Sequence, residues 1–284
     1  MKTVRKMMGI GVRRGWAEFV HLVKDRKEQA GQLLGTVGVF VLLLLWIGDE
    51  PVKGTDVSSG TLMTAGFLAF TITSGGLLSL AMMIAADRED GTMLRLRATA
   101  GGIPVYLIGR GVTVLCQIVL QCGLMLGIGL ALGSVTFPSS PADWLTLAWV
   151  VPLGTLAVVS LGAAIGSVLP SPKTAAVIMG LPMMGAMLIS GVMLPMSYMP
   201  EPVQWIAQAL PLYWQGLGLR SVFLPDSMLA AEIGGAWRLP ETAAVLGAWA
   251  VAGLLLAAWL LRRATRRESG SRLAERRLAA QAAN

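Results

Sequence analysis

The sequence predicts an all-α integral membrane protein, on two observations: long stretches without charge and a high content of apolar residues. Asp, Glu, Lys and Arg are absent from six stretches of at least 18 residues: 31–48, 61–86, 111–136, 144–169, 174–195 and 242–261. A helix rises about 1.5 Å per residue, so each stretch can cross a hydrocarbon core about 30 Å thick. We therefore expect six transmembrane helices, with no ionisable group at membrane depth.

The composition supports this class and divides the chain into regions. Hydrophobic residues make up 55% of the 284 residues, and the mean hydropathy is +0.67, far from the values of an ordinary soluble domain. The segments between the apolar stretches leave no room for a separate catalytic domain. We expect an amphipathic cytoplasmic segment over 1–30, a six-helix transmembrane domain over 31–261 and a basic cytoplasmic tail over 262–284.

The N-terminal segment has the pattern of an amphipathic helix. Apolar and polar side chains separate onto opposite faces, with Trp16, Phe19, Val20 and Val23 on one face and Arg14, Glu18, His21 and Asp25 on the other. Such a helix is suited to lie flat at a membrane surface. We expect it at the cytoplasmic interface, and the alternative is packing against another cytoplasmic subunit.

The distribution of basic residues predicts the orientation of the chain. Of the 23 Lys and Arg residues, 20 lie in the N-terminal segment, in the connections after the second and fourth stretches, or in the tail. Cytoplasmic segments of membrane proteins carry such an excess. We therefore expect a protein of the inner (cytoplasmic) membrane with both termini in the cytoplasm. The net charge of +7 is then a topology signal that also suits anionic lipids, and no nucleic-acid partner is expected.

The connection after the second stretch carries a distinctive motif. Residues 88–92 read Arg-Glu-Asp-Gly-Thr, and a short amphipathic segment follows. Thr92 is a residue type that caps helices, which would place Leu94 and Leu96 against an apolar surface. This connection is longer than a simple turn requires, so we expect it to dock a partner. The alternative is a solvated turn whose arginines only set the topology.

Prolines mark the segment that follows the fifth stretch. Each of Pro195, Pro200 and Pro202 removes a backbone donor and disfavours helix in the residue before it. The apolar run 203–212 is too short to span, and Trp205, Tyr213 and Trp214 are residue types that settle at head-group level. We expect 196–223 to form a short helix at the outer interface that closes an exit, with Pro195, Pro200 and Trp205 as the outer gate. Without Pro195 the fifth helix should extend, and the alternative is a simple interfacial anchor.

These motifs resemble the ABC-2 type permeases, the membrane subunits of bacterial ABC exporters. The matching residues are Arg88 to Thr92 with Leu96, Thr99 and Gly109-Arg110, and then Gly191, Pro195, Pro200, Trp205, Pro211 and Arg220. With an amphipathic N-terminal helix and six spans, the resemblance covers nearly the whole chain. The small external region makes it most similar to short permeases of the daunorubicin-resistance type, which export drugs and antibiotics.

The resemblance implies an ATP-driven exporter of a drug, an antibiotic or a lipid-like substrate. In that family a coupling helix docks on a separate ATPase subunit, which here would involve Arg88, Glu89, Gly91, Thr92, Leu96 and Thr99. The sequence contains no phosphate-binding loop of the G-x-x-x-x-G-K-[ST] type, so ATP would act through the partner and no cofactor is expected on this chain. A second permease copy, identical or different, is also implied.

Polar and flexible side chains in the second and fifth stretches suggest a translocation path. Thr71, Thr73 and Ser74 give the second stretch a small polar lining, and Met183 and Met187 are adaptable apolar residues in the fifth. The alternative is that the hydroxyls bond their own helix and the methionines fill gaps in the core. In the resembling family these two spans line the interface between subunits.

The residues that would support other functions do not cluster. Cys116 and Cys122 are six apart on one helix and do not face each other, and His21 has no companion ligands, so neither metal binding nor catalysis is expected. We therefore expect a transport subunit that is not itself an enzyme. A channel or scaffold that works without ATP is the alternative function, and it would need no docking loop.

Overall fold

The computed structural model describes residues 2–25, 31, 34–52, 55–97, 102–135, 137–138 and 140–267. Within these residues the chain is all helical, without strands, as the sequence predicted. The helices are α1 (Lys2–Lys24), α2 (Leu34–Ile47), α3 (Ser59–Glu89), α4 (Thr92–Arg97), α5 (Gly102–Ala131), α6 (Pro141–Gly166), α7 (Pro172–Ile189), α8 (Glu201–Ala209), α9 (Pro211–Phe223) and α10 (Leu239–Arg267).

Five of these helices are long and apolar enough to cross a membrane: α3, α5, α6, α7 and the Leu239–Leu261 part of α10. The chain is therefore a multi-pass membrane protein. The first predicted span, over 31–48, is different. Within it the structure describes Gly31, Gly48 and the apolar helix α2, whose 14 described residues are fewer than the about 17 that a spanning helix needs. The prediction of six spans is thus confirmed for five of them.

Side-chain caps fix where several spanning helices begin. Ser140 and Asp143 form a reciprocal capping box at the start of α6, with Pro141 in its first turn. Ser171 accepts a hydrogen bond from the backbone N–H of Thr174 and so caps α7. The predicted third span begins at residue 111, but α5 already begins at Gly102, so Tyr106 and Arg110 lie on a spanning helix.

Small residues bring α3 into close contact with α6 at the centre of the bundle. A β-carbon on Gly162 would lie 2.2 Å from the carbonyl oxygen of Gly76, and one on Gly166 would lie 2.7 Å from that of Ala81. The backbones therefore touch, which is how spanning helices associate when hydrophobicity no longer separates inside from outside. A π-helical stretch, Gly75–Ser79, interrupts α3 at this crossing. Irregular turns of this kind are common at functional positions.

Helix α1 packs along α5 through glycine and polar residues. A β-carbon on Gly15 would lie 2.3 Å from the carbonyl oxygen of Gly109, so the two helices touch at this point. Arg14 and Glu18, which we expected on a face toward water, lie on the side that contacts α5. The apolar residues Trp16 and Val23 are exposed. The helix is amphipathic as predicted, but its polar face packs on α5 and its apolar face is exposed. Its place at the membrane surface stays a prediction.

The segment 196–223 contains a short 3₁₀ helix, Met196–Tyr198, followed by two α-helices instead of one. Helix α8 is amphipathic and exposes Trp205, whereas every residue of α9 from Pro211 to Arg220 is buried between α3, α6 and α10. Tyr213 and Trp214, predicted at head-group level, are inside the bundle. The prediction of one surface helix was wrong for α9, because its small and apolar residues pack against spanning helices on several sides.

Candidate functional site

The spanning helices place charged side chains at both ends of the bundle. The connection between α3 and α5 and the connection between α6 and α7 lie at the first end, which we call the Asp87 end. The connection between α5 and α6 and the segment between α7 and α10 lie at the other, the Arg220 end. These two ends hold the candidate sites.

A carboxylate near the last turn of α3 organises the Asp87 end. The guanidinium of Arg110 donates to both oxygens of Asp87, Nη2 to Oδ1 at 2.6 Å and Nε to Oδ2 at 2.8 Å. The hydroxyl of Tyr106 donates to Oδ2 at 2.5 Å. A bidentate guanidinium with a third donor satisfies the carboxylate well, so this pair fixes α5 against α3.

Helix α1 joins the same network. Arg110 Nη1 donates to Glu18 Oε2 at 3.2 Å, and Arg14 Nε donates to Glu18 Oε1 at 3.0 Å. The hydroxyl of Thr113 reaches the carbonyl oxygen of Gly15 at 3.1 Å. The side chains of Arg110 and Asp87 keep 17% and 11% of their surface exposed, and Glu18 keeps 27%. The three helices are therefore linked by a charged network that water still reaches.

A groove of about 630 Å³ opens beside this network. Its lining is mixed, with carboxylates of Glu18, Asp87 and Asp90 facing apolar side chains such as Leu22 and Met83. A concave surface with charge of both signs suits contact with a polar partner or a head group.

The predicted coupling residues occupy different positions at this end. Glu89 is exposed, Thr92 begins α4, and Gly91 has a φ of 74°, which favours glycine at the turn between α3 and α4. Leu96 packs against the main core. Thr99 lies outside the described residues. These residues therefore form a short, fixed elbow that presents Glu89 and Thr92.

Arg88 does not point outward with Glu89. It is buried, and its Nη1 donates to the carbonyl oxygen of Leu169 at 3.1 Å. Leu169 lies in the connection between α6 and α7, so Arg88 ties that connection to the end of α3. The hydrogen bond to Leu169 gives Arg88 a role in positioning the elbow. A contribution of Arg88 to docking stays a prediction.

The Arg220 end is built on a buried ion pair. Arg220 on α9 donates from Nη2 to Glu232 Oε2 at 3.1 Å and from Nε to Oε1, and its Nη1 donates to the carbonyl oxygen of Gly191 at 3.1 Å. Only 1% and 3% of the two side chains are exposed. Both residues lie outside the uncharged stretches of the sequence, and the sequence analysis did not anticipate a buried ion pair among them. The pair fixes α9 to the segment before α10 and to the end of α7.

A neutral polar cluster lies one turn earlier on α9. The hydroxyl of Thr73 on α3 donates to Gln215 Oε1 at 3.3 Å, and Gly154 on α6 makes room for the amide, since a β-carbon there would lie 2.7 Å from it. Within the described residues, Gln215 Nε2 and Thr155 Oγ1 have no hydrogen-bond partner. Burial raises the pKa of the neighbouring Tyr213 to about 12, with Glu232 adding to the effect, so its hydroxyl stays protonated.

The predicted path residues do not line one common space. Thr71 is buried and donates to Met125 Sδ on α5, whereas Thr73 faces α9 and Ser74 donates to the carbonyl oxygen of Thr71. Met183 is buried, and Met187 packs against the core. These five residues therefore do not form a path along α3 and α7 within one copy of the chain. Whether they line a path in a dimer stays a prediction.

The predicted outer gate is split as well. Pro195 precedes the short helix Met196–Tyr198, Pro200 precedes α8, and Trp205 is 68% exposed. Helix α7 already ends at Ile189, and Gly191 follows with a φ of 73°. The fifth span was predicted to continue to residue 195, and this boundary was wrong. The helix ends six residues before Pro195, next to a glycine with positive φ, so the proline is not what ends it.

Sequence reasoning missed most members of the two charged sites. Asp87, Tyr106 and Arg110 lie within helices, yet they fall outside the uncharged stretches that defined the predicted spans. Arg220 and Glu232 are the better signal, because they are charged residues in a segment that is otherwise largely apolar. Charged residues among spanning helices are costly unless paired, so their presence indicates a partner.

The chain matches a known family over most of its length. Residues 50–259 match the model of a family described as ABC-2 family transporter protein. No curated protein matches the chain. The matched range begins before α3 and ends within α10, so it includes both charged sites except for α1. The chain belongs to the ABC-2 family of transporter proteins.

Proposed function

We propose that this chain is the membrane subunit of an ABC exporter, which moves an amphipathic or apolar substrate out of the cell with ATP hydrolysed by a separate subunit. The family match over 50–259 is the observation that carries this proposal. The substrate class, a drug, an antibiotic or a lipid-like molecule, rests on the resemblance to short drug-export permeases. No metal, cofactor or catalytic residue of this chain takes part in the proposed function.

The Asp87 end is the proposed ATPase-docking end. It carries the basic excess of the sequence, which favours the cytoplasmic side, and both termini would then be cytoplasmic. The α3–α4 elbow exposes Glu89 there, and the network of Glu18, Arg110 and Asp87 joins it to α1 and α5. A movement of a docked ATPase would reach α3 directly, since Asp87 and Glu89 belong to one helix.

A second copy of the permease would complete the translocation path. Helix α7 is attached to the bundle by a narrow stripe of Ala175, Met179 and Met183, while Val177, Leu181 and Met184 are exposed. In the proposed dimer this exposed face would be covered or would line the path with α3. We also propose that α2 belongs to a sixth span.

Orientation is tested by labelling single cysteines with an impermeant reagent in a background without Cys116 and Cys122. Ser227→Cys, at an exposed position near the Arg220 end, should react from outside intact cells. Lys24→Cys, at an exposed position of α1, should react only after the cells are opened. The reverse pattern would place the α3–α4 elbow away from ATP and contradict the proposed docking.

Transport is tested in inside-out vesicles that contain the permease and an ATP-binding cassette ATPase co-expressed from a neighbouring gene. Daunorubicin, a fluorescent amphipathic drug, serves as the probe. The proposal expects uptake that requires ATP, the permease and an ATPase able to hydrolyse ATP. Probe movement that is equal with and without ATP would support the alternative of a channel.

A further inference from the structure

An apolar pocket opens on the side of the bundle, and among the described residues no charged side chain lines it. It measures about 520 Å³ and lies between α3, α5, α6 and α9. All of its lining residues are apolar. Its floor consists of the buried residues Leu68, Ile72, Ile118 and Leu219, and its rim includes the exposed residues Val119, Gly123, Trp144 and Ala148.

The position of the pocket matches one half of a bilayer. Helix α6 begins at the charged capping box of Ser140 and Asp143, and Trp144 follows at once, as expected for a residue at head-group level. Pro152, also part of the lining, lies eight residues further along, or about 12 Å deeper at 1.5 Å per residue. Half of a hydrocarbon core is about 15 Å thick. The pocket therefore extends through the half of the core at the Arg220 end.

The chemistry of the lining selects its occupant. A water molecule would find no hydrogen-bond partner in this pocket. A charged or polar group that entered it would lose its hydrogen bonds to water without replacing them. The rim is continuous with exposed apolar residues of spanning helices, such as Leu145 beside Trp144, which contact lipid in a membrane. An open space at this depth is filled by hydrocarbon, because its walls gain dispersion contacts that an empty space lacks.

We propose that this pocket holds an acyl chain of a bilayer phospholipid, from the half of the membrane at the Arg220 end. The chain would rest on Leu219 and Phe223 of α9, the helix that also carries Gln215 and Arg220. Gln215, Leu219 and Phe223 are spaced four residues apart on one face of α9, so a bound lipid chain would support this face beside the polar contact of Gln215. This site does not depend on ATP-driven export.

Two glycines of α5 provide a matched pair of variants. Gly123 lines the pocket, Gly127 lies one turn away outside the lining, and a β-carbon at either position would meet no atom within 4 Å. Gly123→Phe places a ring in the pocket, and Gly127→Phe places the same ring on the neighbouring exposed surface. On the opposite wall, Ala148→Phe with Leu145→Phe as its control repeats the comparison if Gly123→Phe does not fold.

The test uses the full chain in phosphatidylcholine vesicles with a small fraction of phosphatidylcholine that carries a photoactivatable diazirine in its acyl chain. Adducts on exposed residues arise from any surrounding lipid, so the readout is the adduct on Leu219, which is 2% exposed. We expect this adduct in the native chain and in Gly127→Phe, and about tenfold less in Gly123→Phe, because the ring excludes the chain sterically.

Two results would overturn the proposal. Absence of the Leu219 adduct in the native chain would show that lipid does not enter, and an equal adduct in both glycine variants would place the lipid elsewhere. A lower dimer fraction in Gly123→Phe, with Leu219 unlabelled in the native chain, would assign the pocket to a second protein copy. The thermal unfolding midpoint of each variant shows whether its fold is retained.

Discussion

The two charged sites of this protein differ in how far water reaches them. At the Asp87 end, three helices share a network whose main pair keeps 17% and 11% of its side-chain surface exposed, beside an open groove. At the Arg220 end, one pair is almost completely enclosed, and its third contact is a backbone carbonyl. The charged groups at the Asp87 end are accessible to water and to other charged groups, whereas those at the Arg220 end form hydrogen bonds with each other and with the protein backbone.

This difference indicates different uses of charge. A partly exposed ion pair contributes little to stability and is replaced readily by water or by another charged group. A buried pair contributes little net stability either, but the loss of one partner leaves an uncompensated charge and is strongly destabilising. The Asp87 end is therefore suited to a docking surface that changes, and the Arg220 end is suited to hold α9 in one position.

The largest effect is expected from breaking the buried pair. Arg220→Met leaves Glu232 buried without its partner and should lower the free energy of unfolding by about 3–5 kcal/mol. The double variant Arg220→Met/Glu232→Leu should recover most of this loss. Chemical unfolding in mixed detergent and lipid measures both. A loss below about 1 kcal/mol in the single variant would show that the pair is not enclosed as described.

A smaller effect is expected where α7 ends. Gly191 has a φ of 73°, and a β-carbon there would lie 3.1 Å from Met196 and 3.2 Å from the guanidinium of Arg220. Gly191→Ala should therefore cost about 2 kcal/mol. Pro195→Ala is the matched control and should leave the end of α7 in place with a smaller loss. If Pro195→Ala costs more than Gly191→Ala, the proline ends the helix, as the sequence analysis expected.

The smallest of these effects is expected at the Asp87 end. Asp87→Asn keeps an oxygen for Tyr106 but removes the charge that Arg110 contacts, and the partial exposure limits the loss to about 1–2 kcal/mol. Glu201→Gln, on the exposed first turn of α8, should change the unfolding free energy by less than about 0.5 kcal/mol. A loss in Asp87→Asn as large as that in Arg220→Met would remove the contrast between the two ends.

The fold was predictable where a single physical rule dominates. Uncharged stretches long enough for a bilayer located five spanning helices, and the motif at Arg88 to Thr92 led to the correct family. The ends of the helices were less predictable, because α5 continues through Tyr106 and Arg110, whose charge is paired by residues from other helices. A sequence pattern shows that a group is charged, but it does not show which neighbours neutralise it.

The same limit explains the error at α9. Trp214, Tyr213 and a proline at the first helical position are consistent with a surface helix, and the sequence alone offers no view of the neighbours. The enclosure depends on Gly154, Gly216 and Gly218, whose missing side chains let α9 approach α6 and α3. Such complementarity arises between distant segments, so it became visible only in the assembled bundle.

The central claim is that the α3–α4 elbow docks an ATPase at the Asp87 end, and co-purification tests it most directly. Affinity-tagged permease is isolated with the co-expressed ATPase, as the native chain, as Glu89→Lys and as Glu201→Lys, a matched charge reversal near the other end. Reversing a charge at a docking surface adds repulsion to the lost contact, so Glu89→Lys should retain about tenfold less ATPase. Glu201→Lys should retain the native amount. Equal retention by the native chain and both variants, at equal membrane expression, would contradict docking at this elbow.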